Sequence, residues 1–449
     1  MDALKKYEFP AFLRKILETL KDASHEAYIV GGSVRDILLG ISPDEWDITT
    51  NATPDQVTAL FPKVVPTGLK FGTVTVLVSE LEKAEITTYR SDERYTDGRH
   101  PDNVRFTKKL DEDLARRDFT VNALAYDPIT ATLVDLHKGQ ADLRARFIRT
   151  VGVPIERFRE DGLRPVRACR FAAQLNFEID PETLASIPKG LDVVEKVAPE
   201  RIRDEIIKLL KAEKPSVGFE YMRKAGLLKI ILPELEECVG VEQPKSFHKY
   251  DVYWHNLIAC DSAPRDNVIL RLSSLFHDIS KPECKVGDTF YNHEVVGAEK
   301  TKIIMKRLKF SNDDMENVSN LVRNHMFNYV PEWSDSAVRR FIKRVGLKNI
   351  EPLFLLRKAD VRGMEREVTD EELAELRARI KKAVDEENAL HVKQLAVDGE
   401  ELMKSLTLSP GPEIGRLLNA LLEKVLDDPT LNTKETLLTL AQEIHAGNQ

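Results

Sequence analysis

Glu45-Trp46-Asp47 carries two acidic side chains two residues apart in a short apolar run. A strand projects positions i and i+2 from one face, so both carboxylates could grip one divalent cation. Upstream, Gly31-Gly32 follows Glu26-Ala-Tyr-Ile-Val30 and permits a close backbone turn. The segment 33–39 then reads as a short helix whose N-terminus suits a phosphate. A phosphate cradle and a metal clamp therefore lie side by side. A third carboxylate, Glu85, stands in the β-branched run 84–90, placed to join the pair if that strand is adjacent.

A second concentration of ligands lies downstream: His255, His277-Asp278, His293, His325 and Asp360. Imidazoles and carboxylates are the usual ligands of Mn, Fe, Ni, Zn or Mg, and His277-Asp278 closes an apolar helical stretch. His248 reads as a surface or supporting residue.

The elements that position these groups follow from periodicity. Residues 1–150 mix an amphipathic helix over 10–20 with β-branched strands at 72–78 and 84–90, an α+β head with a mixed sheet. Thr53-Pro-Asp-Gln56 has the capping-box form and predicts a helix through Leu60. Beyond Phe158 strand signals fade, and spacings such as Ile202, Ile206, Leu209 and Leu210 predict an all-helical body. The highly charged segment 365–388 reads as a solvated helix or connector. Boundaries fall near 150, 215 and 370, giving a head (1–150), a neck (151–215), a helical domain (216–370) and a tail (371–449).

With 42 % hydrophobic and 31 % charged residues, the 449-residue chain has the composition of a soluble globular protein. No apolar run approaches the ~18 residues of a membrane span, and the first residues lack a signal-peptide pattern, so the expectation is a cytoplasmic protein with no membrane contact. The four scattered cysteines form no C-x-x-C pair and predict neither zinc knuckle nor disulfide framework. A formal net charge of −8 argues against a general nucleic-acid coat, so any RNA must meet a local basic surface such as 144–149, 164–170 or 300–309.

The glycine turn and acid pair resemble the nucleotidyltransferase superfamily that includes DNA polymerase β, with Glu45 where that superfamily usually has aspartate. Four further motifs narrow the resemblance to class II tRNA nucleotidyltransferases, the CCA-adding enzymes and their poly(A) polymerase relatives. They are Arg116-Arg-Asp-Phe-Thr-Val-Asn-Ala123, then Gly139-Gln-Ala-Asp-Leu143 with Arg146 and Arg149, then Glu160-Asp-Gly-Leu-Arg164 through Arg167 and Arg170, then Glu200-Arg-Ile-Arg-Asp-Glu205. The resemblance implies a polymerase-β-like head and addition of CCA to tRNA 3′ ends from CTP and ATP. It makes Glu45, Asp47 and Glu85 catalytic, with Mg held by Glu45 and Asp47, and implies nucleotide contacts from Gly32, Arg35, Arg117, Asp161, Arg164, Arg167 and Arg170.

Asp161 and Arg164, three apart at the start of a predicted helix, suit cytosine and adenine. The aspartate accepts from an exocyclic amino group and the arginine donates to ring acceptors. Uracil and guanine set a carbonyl against the aspartate, and unpaired buried polar groups then discriminate. Arg164, Arg167 and Arg170 form a drifting stripe compatible with one wall of a cleft. The loop 91–103 corresponds to one the family associates with switching from C to A; CC-only relatives lack it. The ordered histidines and aspartates resemble the HD phosphohydrolase superfamily, implying an HD-type helical domain with a second divalent metal (Mn, Ni, Fe, Zn or Mg) and activity on phosphate esters such as a 2′,3′-cyclic phosphate. The tail resembles that of Firmicute family members and is expected to meet tRNA; no protein partner is inferred. Two rivals are a poly(A) polymerase and an RNA-binding HD phosphodiesterase whose head is weakened by Glu45.

Overall fold

The computed structural model describes residues 2–93, 103–244, 249–364, 370–386 and 391–447. The loop 91–103, except its ends, and His248 lie outside the described residues. The chain divides into two compact units: residues 1–236 with 307–309, and 237–306 with 310–449.

The first unit is built on β1 (Ala27–Val30), β2 (Asp47–Thr50), β3 (Val64–Gly68), β4 (Thr73–Leu77), β5 (Lys83–Thr88), β6 (Arg90–Glu93), β7 (Asn103–Phe106), β8 (Ala125–Asp127) and β9 (Thr132–Val134). Seven of these form a mixed sheet in the order β3-β4-β5-β2-β1-β8-β9, while β6 and β7 form a separate hairpin. Within the sheet only β2 and β5 run parallel, with Asp47 opposite Glu85. Alternation along β5 explains what each face carries: Ala84 and Ile86 are buried, and Glu85 between them is exposed. The helix Pro54–Leu60 has the predicted capping box, Thr53 accepting from the Gln56 N–H while the Gln56 side chain accepts from the Thr53 N–H.

Five helices of this unit carry or neighbour the predicted site residues: α1 (Gly32–Leu38), α2 (Leu110–Ala115), α3 (Pro154–Glu160), α4 (Arg164–Leu175) and α5 (Pro199–Leu210). Ile202, Ile206, Leu209 and Leu210 form the buried stripe of α5 that the spacing predicts.

In the second unit, α6 (Val252–Ser262), α7 (Val268–Phe276), α8 (His293–Arg307), α9 (Asn312–Asn324), α10 (Leu347–Gly363) and α11 (Asp370–Asp385) pack without a large sheet. The body is not wholly helical. Phe147–Ile148 pairs in parallel with Glu178–Ile179, and Lys285–Val286 forms a hairpin with Thr289–Phe290. Two-residue ladders are too short to leave a period in the sequence. The charged segment near 370 also differs from its expected solvated form. Leu373, Leu376, Ile380 and Ala383 of α11 are buried in one core with Phe354, Leu417 and Leu421. Their spacing of three, four and three is a helical stripe that the surrounding charges concealed. No described helix is long and apolar enough to cross a membrane.

Leu376→Ala is expected to destabilise the second unit by about 2–5 kcal/mol, the range for a truncated core leucine. Glu375→Ala, one position earlier and exposed, is expected to change stability by no more than about 0.5 kcal/mol. Denaturant melts of the two variants check this.

Candidate active site and metal centre

β1 delivers the chain to Gly31, whose φ of +78° is open to glycine at little cost. An added Cβ there would lie 3.2 Å from Arg117 Nη1 and 3.8 Å from Asp47 Oδ2. Of the glycine pair, Gly31 is thus the one that lets the turn close onto the acid and the arginine. Around Gly32 a Cβ would meet only the Arg35 guanidinium, at 3.5 Å.

Strand β2 begins at Asp47, and Glu45 sits in an exposed bend ahead of it, not on the strand as expected. The ladder nevertheless extends back, because the Glu85 N–H donates to the Trp46 carbonyl at 2.9 Å. Burial raises the Asp47 carboxyl to about 6; Arg117 opposes this, and the charges of Glu85 and Glu45 add to it. The Glu85 and Glu45 charges thus both bear on Asp47, a repulsion that a divalent cation would relieve, but among the described residues these three carboxylates do not form a cluster with all ligand atoms within 4.8 Å of one another.

Arg117 stands beside Asp47, and two buried acids, Asp113 and Asp118, tie it and further arginines down. Asp113, fully buried, accepts from Arg116 Nε (2.9 Å), Arg117 Nη2 (3.3 Å) and Thr49 Oγ1 (3.0 Å). Asp118 accepts from the Phe119 N–H (2.8 Å) and Asn122 Nδ2 (3.2 Å) on one oxygen, and from Arg167 Nε (2.9 Å) and Nη2 (2.7 Å) on the other. Burial alone would raise this carboxyl; the Arg167 charge and its hydrogen bonds hold it down at about 2. Asn122 Oδ1 in turn accepts from Arg35 Nη1 at 2.7 Å. The face of Phe171 takes the guanidiniums of Arg170, Arg167 and Arg35 at 3.8, 5.3 and 5.3 Å from its centroid.

The expected Asp161/Arg164 pair is arranged differently. The two do not share one helix: Asp161 ends α3 and Arg164 opens α4, with Leu163 at the N-cap. Pro165 falls in the first turn, where no N–H is needed, which is why α4 tolerates it. Asp161 is held by Arg201, while Arg164 Nη1 donates to Glu160 Oε2 (2.6 Å) and the Arg157 carbonyl (3.1 Å) and its Nη2 to the Arg116 carbonyl (2.9 Å). The arginine stripe is likewise no open basic wall. Arg164 and Arg170 are buried, and Arg170 pairs with Glu205 as Arg167 pairs with Asp118.

In the second unit six predicted ligands converge. One group is His255, His277 and Asp360, the other Asp278, His293 and His325, with ligand atoms within 4.8 Å of one another in each. Asp278 touches both, its Oδ2 3.4 Å from His255 and His277 Nε2, its Oδ1 3.2 and 3.5 Å from His293 and His325 Nε2. The Nδ1–H groups of His277, His293 and His325 each donate at 2.7 Å to a carbonyl three residues earlier, of Ser274, Phe290 and Val322. In a neutral imidazole the inward Nε2 is then a lone pair. Lone pairs facing carboxylates make a set that a cation would complete, and the 2.9 Å contact between His255 and His277 Nε2 is met either by a proton on one ring or by such a cation. Burial opposes ionisation of Asp278, yet Lys281 at 2.6 Å and His277 hold it well below the usual carboxylate range. A cavity of about 520 Å³ opens onto this centre, lined also by Lys281, Phe290 and Arg357.

The family model described as "Poly A polymerase head domain" matches residues 27–149, "Probable RNA and SrmB- binding site of polymerase A" matches 176–239, and tRNA nucleotidyltransferase domain 2 matches 291–441. The CCA-adding enzyme of Levilactobacillus brevis is 49 % identical over 214 residues, 48 % of this chain and about half (53 %) of that protein. The CCA-adding enzyme of Lactococcus lactis subsp. lactis is 33 % identical over 94 % of this chain and 95 % of its own length. The crystal structure of the Bacillus stearothermophilus CCA-adding enzyme in complex with CTP superposes with a TM-score of 0.70 at 26 % identity, covering 98 % of this chain and 99 % of that one. The chain belongs to the class II CCA-adding enzyme family.

Several residues that build these networks were not singled out from the sequence. Asp118, Asn122, Arg201 and Glu205 lie inside the family motifs without an individual role assigned to them. Asp113, Lys281 and Arg357 lie outside the motifs altogether. A buried acid beside Arg-Arg was the available signal for Asp113.

Asp118→Ala leaves Arg167 with only its longer, 3.5 Å pair to Glu205 and is expected to cost about 3 kcal/mol. Thr58→Ala, remote from this network, is expected to stay within about 1 kcal/mol. Urea denaturation of both variants tests it.

Proposed function

We propose that this chain adds C, C and A in turn to tRNA 3′ ends from CTP and ATP. The tRNA 3′-hydroxyl gives up its proton to water as its oxygen bonds to the α-phosphorus, the bond from that phosphorus to the oxygen bridging to the β-phosphate breaks, and pyrophosphate leaves with the displaced electron pair. The observation that carries the reading is Asp47 in register with Glu85, next to Glu45 and against Gly31 and Arg117. Glu45, Asp47 and Glu85 would hold the divalent cation, proposed as Mg. When bound, such an ion neutralises the triphosphate, lowers the pKa of the attacking hydroxyl and supports the departing pyrophosphate.

The chain's own residues do the rest. The Gly31 turn lets phosphate approach the backbone, and Gly32, Arg35 and Arg117 stand nearest it. Asp161 accepts from the exocyclic amino group of cytosine or adenine, Arg164 donates to the ring acceptors, and Arg167 and Arg170 support them from α4. CCA addition is favoured over poly(A) synthesis because the relative matching along nearly the whole chain is a CCA-adding enzyme. In the same reading residues 1–150 transfer, 151–215 select the base, 216–370 carry the HD-type centre and 371–449 meet tRNA, in the cytoplasm.

The six-ligand centre supports a second, phosphohydrolase activity with its own divalent metal held by His255, His277, Asp278, His293, His325 and Asp360. Lys281 and Arg357, facing the adjoining cavity, would bind the phosphate oxygens.

Incubation with tRNA lacking CCA, CTP, ATP and Mg is expected to yield the terminal sequence CCA on sequencing; an A tract would favour the polymerase alternative. Asp47→Asn and removal of metal by EDTA are each expected to lower CTP incorporation by about a hundredfold or more. His277→Ala is expected to abolish metal-dependent phosphatase activity while CCA addition persists, as measured by parallel assays. Persistence of phosphatase with no CTP incorporation, even by Glu45→Asp, would leave the phosphodiesterase reading standing.

A further inference from the structure

The turn that holds Asp161 has little freedom. An added Cβ on Gly162 would lie 2.4 Å from the Val193 carbonyl oxygen, so the chain passes this point only as glycine. The Arg164 N–H donates to the Asp161 carbonyl at 3.0 Å, and the Leu163 N–H donates to Asp161 Oδ1 at 3.0 Å. Against this fixed turn comes Arg201, from the first turn of α5. Its Nη1 donates to Oδ1 at 3.1 Å and its Nη2 to Oδ2 at 2.8 Å, a two-point fork on one carboxylate.

Counting acceptor sites shows what the fork leaves open. Oδ1 takes two donors, Leu163 N–H and Arg201 Nη1, while Oδ2 takes Arg201 Nη2 alone. A carboxylate oxygen has room for two. One acceptor position therefore remains on Oδ2, in a plane set by a guanidinium that cannot lose its charge.

We propose that Arg201 is a positioning residue for base selection, fixing the Asp161 carboxylate so that the remaining position on Oδ2 meets the amino group of cytosine or adenine. This rests on the reading of Asp161 as the base-selecting acid. A carboxylate free to swing toward water would no longer stand against a uracil or guanine carbonyl, and rejection of those bases would weaken. The fork makes Asp161 an acceptor in one direction. Specificity then depends on α5 as well as on the turn that carries the acid.

The test measures kcat/KM for CTP and for UTP on tRNA lacking CCA, using full-length Arg201→Ala, Arg201→Lys and Asp161→Ala beside the wild type. The CTP to UTP ratio is expected to fall about tenfold or more in Arg201→Ala, with its melting transition retained, and to fall partly in Arg201→Lys, whose ammonium cannot form the fork. Should Arg201→Ala fail to fold, Arg201→Lys decides on the same ratio. Proportional loss of both activities at an unchanged ratio, while Asp161→Ala collapses it, overturns the role of Arg201 alone. A wild-type ratio in Asp161→Ala overturns the reading of Asp161 and this inference together.

Discussion

The pairing of Asp118 with Arg167 is the interaction on which the architecture of the first unit turns. A buried carboxylate is costly unless its lone pairs are filled, and here one oxygen takes the Phe119 N–H and the Asn122 amide while the other takes both nitrogens of one guanidinium. Those partners come from separate places. Asn122 carries the connection to Arg35 of α1, and Arg167 carries it to α4, so one acid aligns the helix behind the glycine turn with the helix behind the Asp161 turn. Neither helix could rotate without leaving that charge unmatched.

The same rule repeats around the site. Arg164 stands on Glu160, Arg170 on Glu205, Arg201 on Asp161, and Arg116 and Arg117 on Asp113. A cluster of guanidiniums would otherwise repel itself. Paired acids keep each fork in place before substrate arrives, which reduces the reorganisation needed when it does. Phe171 serves the same end, its ring face stacked with three of these cations.

In the second unit the constraint is acceptor crowding. His277 and His325 sit at the C-terminal ends of α7 and α9, each donating Nδ1–H to a carbonyl that helical geometry leaves available, and His293 does the same to Phe290. These bonds place the Nδ1 proton on the carbonyl side of the three rings and leave each Nε2 facing the carboxylates. Lys281 and Arg357 partly balance Asp278 and Asp360, so the centre is neither a simple salt-bridge network nor a bare acid cluster.

Much of this could be read from residue order. Periods of two and of three to four determined the strands at Thr73–Leu77 and Lys83–Thr88 and the buried stripe of α5, because both depend on local alternation. Chemical type and motif order picked out Asp47, Glu85, the arginines and the histidines, since few other side chains can bind metal or phosphate. What local pattern could not decide was pairing. That Asp47 lies opposite Glu85, that Asp161 faces Arg201 instead of Arg164, that Glu45 falls just short of its strand, and that α11 buries a stripe beneath its charges all depend on which distant segment arrives alongside. Register and ion pairing are settled by contacts tens of residues apart, where burial makes each unmatched charge expensive, and that cost exists only once the chain has folded.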